Sequence, residues 1–175
     1  MRDDRRIHLV TAGGALTAAV VGALGTRVRT RWYRELDKPP WQPPGWVFGP
    51  AWTALYTLGA VSADRALSGS AGPDRQRLSR CWAVNLALNT GWSWLFFTAR
   101  RPGAALVDTA LLEVSTLDLI RRTRRIDRPA ALLLLPYAGW VALATALNLE
   151  IVRRNPGLPG RRPTTTKQPR RRESP

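Results

Sequence analysis

Four stretches of the chain carry no charged side chain: 7–26, 46–63, 81–99 and 130–149. Each is about 18–20 residues, the length an α-helix needs to cross a hydrocarbon core of about 30 Å. So many such stretches in 175 residues leave little chain for a water-soluble surface. The mean hydropathy of −0.20 conceals this, because the charges are clustered between the apolar stretches rather than spread through them.

The net charge of +15 points either to nucleic acid or to a membrane–water interface. Position decides. The clusters Arg27/Arg29/Arg31/Arg34, Arg75/Arg77/Arg80, Arg100/Arg101, Arg121/Arg122/Arg124/Arg125/Arg128 and Arg153/Arg154 all flank apolar stretches. A nucleic-acid surface would interleave basic and aromatic residues within one element, so no nucleic-acid partner is expected and the lipid bilayer is. The single cysteine, Cys81, and the single histidine, His8, form neither a disulfide nor a metal site, and no metal or cofactor is expected. The basic, then apolar start resembles a signal sequence, but its uncharged run exceeds the usual 7–15 residues and reads as a retained span.

The first span, 7–26, repeats small residues at four-residue spacing (Gly14, Ala18, Gly22), which suits close helix packing within the bundle or between two chains. The 27–45 loop combines Trp32, Tyr33 and Trp41 with Pro39, Pro40, Pro43 and Pro44. Such a segment is stiff, non-helical and interfacial. The second span, 46–63, takes Pro50 in its first turns, and 68–74 reads as a flexible connection. The third span is 81–99. Segment 103–120 contains Asp108, Glu113 and Asp118 on different helical faces, so it forms no clean amphipathic surface and reads as the fourth span. The fifth, 130–149, contains Pro136, which should kink it. Residues 156–175 read as a disordered basic tail. The fold expected is all-α: a polytopic membrane protein, a bundle of five transmembrane helices over 1–155.

In an up-and-down bundle the unusual side chains share one half of the bilayer, beneath the 27–45 loop. At 1.5 Å per residue, Asp108 lies about 7 Å in, Trp52 about 9 Å, Trp140 about 13 Å and Asn89 about 15 Å. Trp52, Tyr56, Gly59 and Ala63 follow one face of span two, Asn85, Asn89 and Trp92 one face of span three, and Trp140, Ala144 and Asn148 one face of span five. Aromatic planes with a few amides suit a pocket for a flat apolar ligand. Equally, the asparagines suit interhelical hydrogen-bond glue, and spacing alone leaves both readings open. No phosphate loop, metal cluster or activated nucleophile is present, so no catalytic residue is assigned and the chain is not expected to be an enzyme.

The block Trp32-Tyr33-x-x-Leu36-x-Lys38-Pro39-x-Trp41-x-Pro43-Pro44-x-Trp46-Val47-Phe48-Gly49-Pro50-x-Trp52-Thr53-x-Leu55-Tyr56 resembles the TspO/MBR family, the tryptophan-rich sensory proteins and translocator proteins. So do Leu86-Ala87-Leu88-Asn89-Thr90-x-Trp92 with Phe96-Phe97, and Pro136-Tyr137-x-x-Trp140 with Ala144-Thr145-x-Leu147-Asn148. The resemblance spans about 7–155, and Asp108 matches an acidic position in the family's fourth span. It implies a five-helix, usually dimeric membrane protein with a ligand cavity beneath the first loop. The ligands implied are porphyrins such as protoporphyrin IX, benzodiazepine-type and isoquinoline compounds and, for some members, sterols. Carried over by motif, the ligand-binding residues would be Tyr33 in the lid with Trp41, Trp52, Asn85, Asn89, Trp140 and Ala144. Three functions fit: a tetrapyrrole sensor or handling protein, a light- and oxygen-dependent porphyrin-degrading enzyme, or a partner-modulating membrane protein with a vestigial cavity.

Two positions depart from the family. A proline that commonly follows the residue matching Trp92 is absent from Ser93-Trp94-Leu95, so its kink is expected to be missing. Leu149 stands where the sterol motif of animal members has tyrosine, which lowers the expectation of sterol binding. Counting the tail only to Lys167, twelve basic residues on each side of the membrane give no positive-inside bias. The Arg-, Ala- and Pro-rich composition suggests a bacterial cell membrane.

Overall fold

The computed structural model describes the backbone of residues 2–157 and the side chains of residues 5–157. Among these residues the protein is entirely helical. The elements are α1 (Arg2–Gly25), α2 (Arg31–Glu35), α3 (Gly45–Ser68), α4 (Gly72–Ser93), α5 (Pro102–Ile126), α6 (Arg128–Leu132) and α7 (Leu135–Arg154), with a π-helical turn at Trp94–Thr98 continuing α4. Helix α1 packs on α3 and α4, α4 on α5, and α5 on α7, while α3 meets α6 and α7 to close a ring.

Polar side chains are buried among the apolar ones of the interior, while apolar side chains cover much of the helices' outer faces. Asn85, Thr116 and Asn148 are essentially inaccessible, whereas Val107, Leu111, Val114 and Leu117 of α5 are more than half exposed. Those four recur at spacings of three and four residues, a single lipid-facing stripe. Helix α1 presents Leu9, Val10, Leu16, Val20 and Leu24 in the same way. On length and apolarity alone, Arg5–Gly25 and Arg128–Arg154 qualify as membrane spans.

The buried polar groups join helices to one another. Ser62 Oγ donates to the Ala130 carbonyl at 2.8 Å, tying α3 to α6. Asn148 Nδ2 donates to the Pro102 carbonyl at 2.8 Å, tying α7 to the first turn of α5. The Ala130 carbonyl lies next to the break between α6 and α7, and the Pro102 carbonyl, at the start of α5, takes the Asn148 amide on a second lone pair. At the edge, Asp127 caps α6 through the Ala130 N–H and pairs with Arg65 of α3 at 2.9 Å. Hydrogen bonding, first from that N–H and then from Arg65, holds its carboxyl below the ordinary range.

Three local expectations are corrected, the first by α2, which places a short helix (Arg31–Glu35) inside the 27–45 loop expected to be non-helical. Segment 68–74 is not a flexible connection: α3 runs to Ser68 and α4 starts at Gly72, where Pro73 occupies the first turn. Gly72 has φ +51°, a conformation that favours glycine, and so turns the chain within three residues. The irregularity expected to be lost with the family's proline is present as the π turn, closed by the Ala99 N–H to the Trp94 carbonyl at 2.8 Å. Of the acids in the fourth span, Asp118 pairs with Arg121 and Arg122, but Asp108 Oδ2 and Glu113 Oε2 are buried without a partner among the described residues. Near Pro136 the helix breaks between α6 and α7, with the proline in the first turn of α7. The basic tail from residue 158 on lies outside the described residues.

The π turn also locks α4 to α1. Trp94 Nε1 donates to the Val21 carbonyl at 3.1 Å and Thr98 Oγ1 to the Gly25 carbonyl at 3.0 Å. The indole lies so close to Gly25 that a Cβ there would stand 2.8 Å from Trp94 Cδ1. Gly25→Ala is therefore expected to lower stability by about 1–3 kcal/mol through overpacking. Gly13→Ala, where a Cβ meets nothing within 4 Å, should leave stability unchanged or raise it. Thermal unfolding of both variants in detergent checks the contrast, and equal melting temperatures would show that Trp94 does not hold this junction.

Candidate functional site

An aromatic cavity lies between α3, α7 and the π turn, roofed by the 27–45 loop. Its walls are Phe48 and Trp52 of α3, Trp92 of α4, Phe96 and Phe97 of the π turn, and Trp140, Leu143, Ala144, Leu147, Asn148 and Ile151 of α7. Tyr33, Gln42 and Pro43 complete the roof.

The rings are locked by one another. Trp52 meets Trp140 edge to face, with centroids 6.3 Å apart and planes at 81°, and Phe48 stands edge-on to Trp140 at 5.6 Å. Opposite them, Trp92 lies 5.5 Å from Phe96, and Phe96 4.9 Å from Phe97. Offset and edge-to-face pairs are the geometries aromatic quadrupoles favour, at about 0.5–1.5 kcal/mol each. Asn148 is engaged at both ends of its amide: it accepts from Trp92 Nε1 at 3.2 Å and donates to the Pro102 carbonyl. These bonds orient it in the wall. Spare hydrogen-bonding capacity sits in the roof. Gln42 Oε1 is buried without a partner among the described residues, and Gln42 Nε2 makes a long contact, 3.5 Å, to the Tyr33 hydroxyl. Burial raises the Tyr33 phenol above its ordinary pKa, against the lowering effect of Gln42, so at neutral pH it is a proton donor. Lys38 lies over the outer face of the Tyr33 ring at 4.8 Å.

The site residues expected from sequence divide into two groups. Tyr33, Trp52, Trp140 and Ala144 line this cavity together. Asn85, Asn89 and Trp41 do not. Asn89 lies in the helix junction, where its Oδ1 accepts from Tyr56 at 2.5 Å and its Nδ2 donates to Tyr137 at 3.0 Å. Asn85 donates to Ser115 and Thr116 of α5. Trp41 sits at the tip of a proline-flanked turn, 47% exposed. Sequence reasoning overlooked Phe48, Phe97, Gln42 and Ile151. Phe48 is one turn before Trp52 and so was accessible to the periodicity argument. Gln42 carried no signal.

The free volume of this cavity is about 40 Å³. A water needs about 10–15 Å³ and ligand pockets run to about 300–1,000 Å³, so the structure is a closed state. Besides the rings of Trp32 and Tyr33 packed on Phe96 and Phe97, three contacts hold the roof. Leu36 is buried against Phe96, Phe97 and Ile151. Asn155 clasps the loop backbone reciprocally, accepting from the Asp37 N–H at 3.0 Å and donating to the Asp37 carbonyl at 2.9 Å. Arg154 reaches the Asp37 carboxylate at 3.8 Å.

A ring of lipid-facing helices around a buried amide–phenol junction, with an aromatic chamber closed by a proline-stiff roof, defines a polytopic membrane protein with an internal apolar cavity. Residues 9–154 match the TspO/MBR family, and the chain belongs to it. Family membership makes the five long helices (α1, α3, α4, α5 and α6–α7) a five-span integral membrane bundle. The chain is 38% identical over 157 residues to the tryptophan-rich sensory protein of Cereibacter sphaeroides, covering 89% of this chain and 95% of the relative. It is 35% identical over 146 residues to the tryptophan-rich protein TspO of Chlorobaculum tepidum (82% and 92%) and 38% identical over 152 residues to the translocator protein of Ovis aries (83% and 89%).

Removing the clasp should favour the open roof. Two exposed hydrogen bonds at about 0.5–1.5 kcal/mol each correspond to an association rate raised about tenfold in Asn155→Ala. Stopped-flow tryptophan fluorescence with a porphyrin measures it, and an unchanged rate would show that the clasp does not control entry.

Proposed function

We propose that this protein binds tetrapyrroles, protoporphyrin IX among them, in the cavity between Trp52 and Trp140, and acts as a membrane sensor or handling protein, in transport or stress-linked disposal. The observation that carries the reading is the chamber's composition. Six indole or phenyl rings and a row of aliphatic side chains line it, and no charged side chain does. An apolar macrocycle stacks favourably on such walls, while charged or small polar solutes gain nothing there to replace their hydration. The roof opens to admit the macrocycle, and Tyr33 and Gln42 then meet its polar edge. The resemblance to bacterial tryptophan-rich sensory proteins supports a homodimer in a bacterial cell membrane.

Trp52 and Trp140 also favour a second reading, light- and oxygen-dependent degradation of the porphyrin, because electron-rich indoles stacked on an excited macrocycle are competent redox partners. One titration addresses both readings. Protoporphyrin IX should quench the tryptophan fluorescence of detergent-purified protein saturably, and a Trp52→Phe/Trp140→Phe double variant should bind about tenfold or more weakly. Unchanged saturable binding in the double variant would reject the site. A new bilin-like absorbance under illumination, with more than one turnover per protein, would select the enzymatic reading.

A further inference from the structure

A second, smaller cavity lies on the other side of Trp52, enclosed by α1, α3, α4 and α7. Trp52 is the one side chain it shares with the aromatic chamber. Ala15, Gly59 and Ala60 leave the space open, and Asn85, Tyr56 and Tyr137 bring polar atoms to its wall. Its free volume is about 20 Å³, enough for one water and little more.

The polar atoms in this wall are left incomplete in a specific way. Asn85 is fully buried. Its Nδ2 donates to Ser115 Oγ at 3.2 Å and to Thr116 Oγ1 at 3.0 Å. Thr116 has already given its own proton to the Leu112 carbonyl at 2.8 Å, so it can only accept from Asn85. That fixes the orientation of the amide: nitrogen toward α5, Oδ1 away from it. Asn85 Oδ1 then has no partner among the described residues. Tyr137 Oη, also buried, takes the Asn89 Nδ2 hydrogen and retains its own O–H to give. One wall therefore presents an acceptor lacking a donor and a donor lacking an acceptor, around a space the size of one water. An unsatisfied buried group costs about 1–3 kcal/mol, and in a membrane bulk solvent cannot relieve it.

We propose that this chamber is a built site for a single water molecule, which donates to Asn85 Oδ1 and accepts from the Tyr137 hydroxyl. The water joins two otherwise separate networks, Thr116–Asn85 on α5 and α4, and Tyr56–Asn89–Tyr137 on α3, α4 and α7. It sits directly behind the indole whose opposite face borders the aromatic chamber.

Crystals grown in lipid, at a resolution that shows ordered solvent, should contain one density peak within about 3.2 Å of both Asn85 Oδ1 and Tyr137 Oη. The same crystals under xenon pressure should show no xenon there. Xenon occupancy, a lipid fragment or an empty chamber would overturn the proposal, because a dry apolar void takes xenon. Infrared difference spectra of the whole protein in D₂O and D₂¹⁸O should show an isotope-shifted internal-water band that disappears in Asn85→Leu. Should Asn85→Leu fail to fold, judged by helical circular dichroism, Tyr137→Phe removes one hydroxyl only and should shift or abolish the same band. A band unchanged in Tyr137→Phe overturns the assignment.

Discussion

The whole structure depends on the Asn89 amide, which holds Tyr56 of α3 with its oxygen and Tyr137 of α7 with its nitrogen. Lipid tails are as apolar as leucine side chains, so burial of apolar surface does little to hold one span against the next. Directional bonds between polar side chains, and close packing, take over that role. Asn89 offers one group of each polarity to two different helices from a third, so its position fixes the three-way junction. The two phenols it anchors then set the rings packed on them: Trp52 lies 5.6 Å from Tyr56 and 6.5 Å from Tyr137. In this way a hydrogen-bonded junction in the middle of the bundle positions the indole that floors the aromatic chamber.

Above the junction, polarity and rigidity are arranged in opposite senses. The chamber wall is stiff, since Asn148 ties Trp92 and the Pro102 carbonyl together with the two ends of its amide. The roof has spare hydrogen-bonding capacity, in Tyr33 and Gln42, and is held by the Leu36 plug and the Asn155 clasp. Closing a proline-stiffened loop costs less conformational entropy than closing a flexible one, so a few contacts are enough to keep it shut. The same economy makes opening accessible, which a chamber of about 40 Å³ would require before it could hold anything much larger than water.

Architecture was legible in the sequence because hydropathy over 18–20 residues integrates many side chains, and charge clusters mark the ends. The site was legible where a stripe of aromatic residues ran along one helix: Trp52 and Trp140 fall where helical periodicity and the family motif put them. Contacts between helices could not be read this way. Periodicity gives the face on which Asn85 lies but not what occupies the opposite helix, and Ser115 and Thr116 of α5 claim it first. The two readings left open for the asparagines have a mixed answer: in the closed state Asn89 and Asn148 serve as glue, with Asn148 also lining the chamber. Trp41 faces outward because the Gln42 N–H closes a turn onto the Pro39 carbonyl at 3.1 Å. That turn is a property of backbone geometry, not of residue type.

The π turn illustrates how one structural need is met by different chemistry. A proline breaks a helix by removing a donor and clashing with the preceding turn; here the chain instead widens one turn, with the Ala99 N–H reaching the Trp94 carbonyl and the Arg101 N–H reaching that of Leu95. Every residue keeps its N–H, so the turn loses no backbone donor in a setting where an unsatisfied one is costly. The altered register turns the side chains of one short segment in two directions. Phe96 and Phe97, adjacent in sequence, are both buried in the chamber wall, while Trp94 points back to grip α1 at Val21 and Gly25. A regular α-helix places adjacent residues about 100° apart and spreads three large rings less compactly around its axis. The departure from the family's proline therefore leaves the wall irregular where the cavity needs it, and adds an anchor to α1 through an indole N–H that a proline cannot supply.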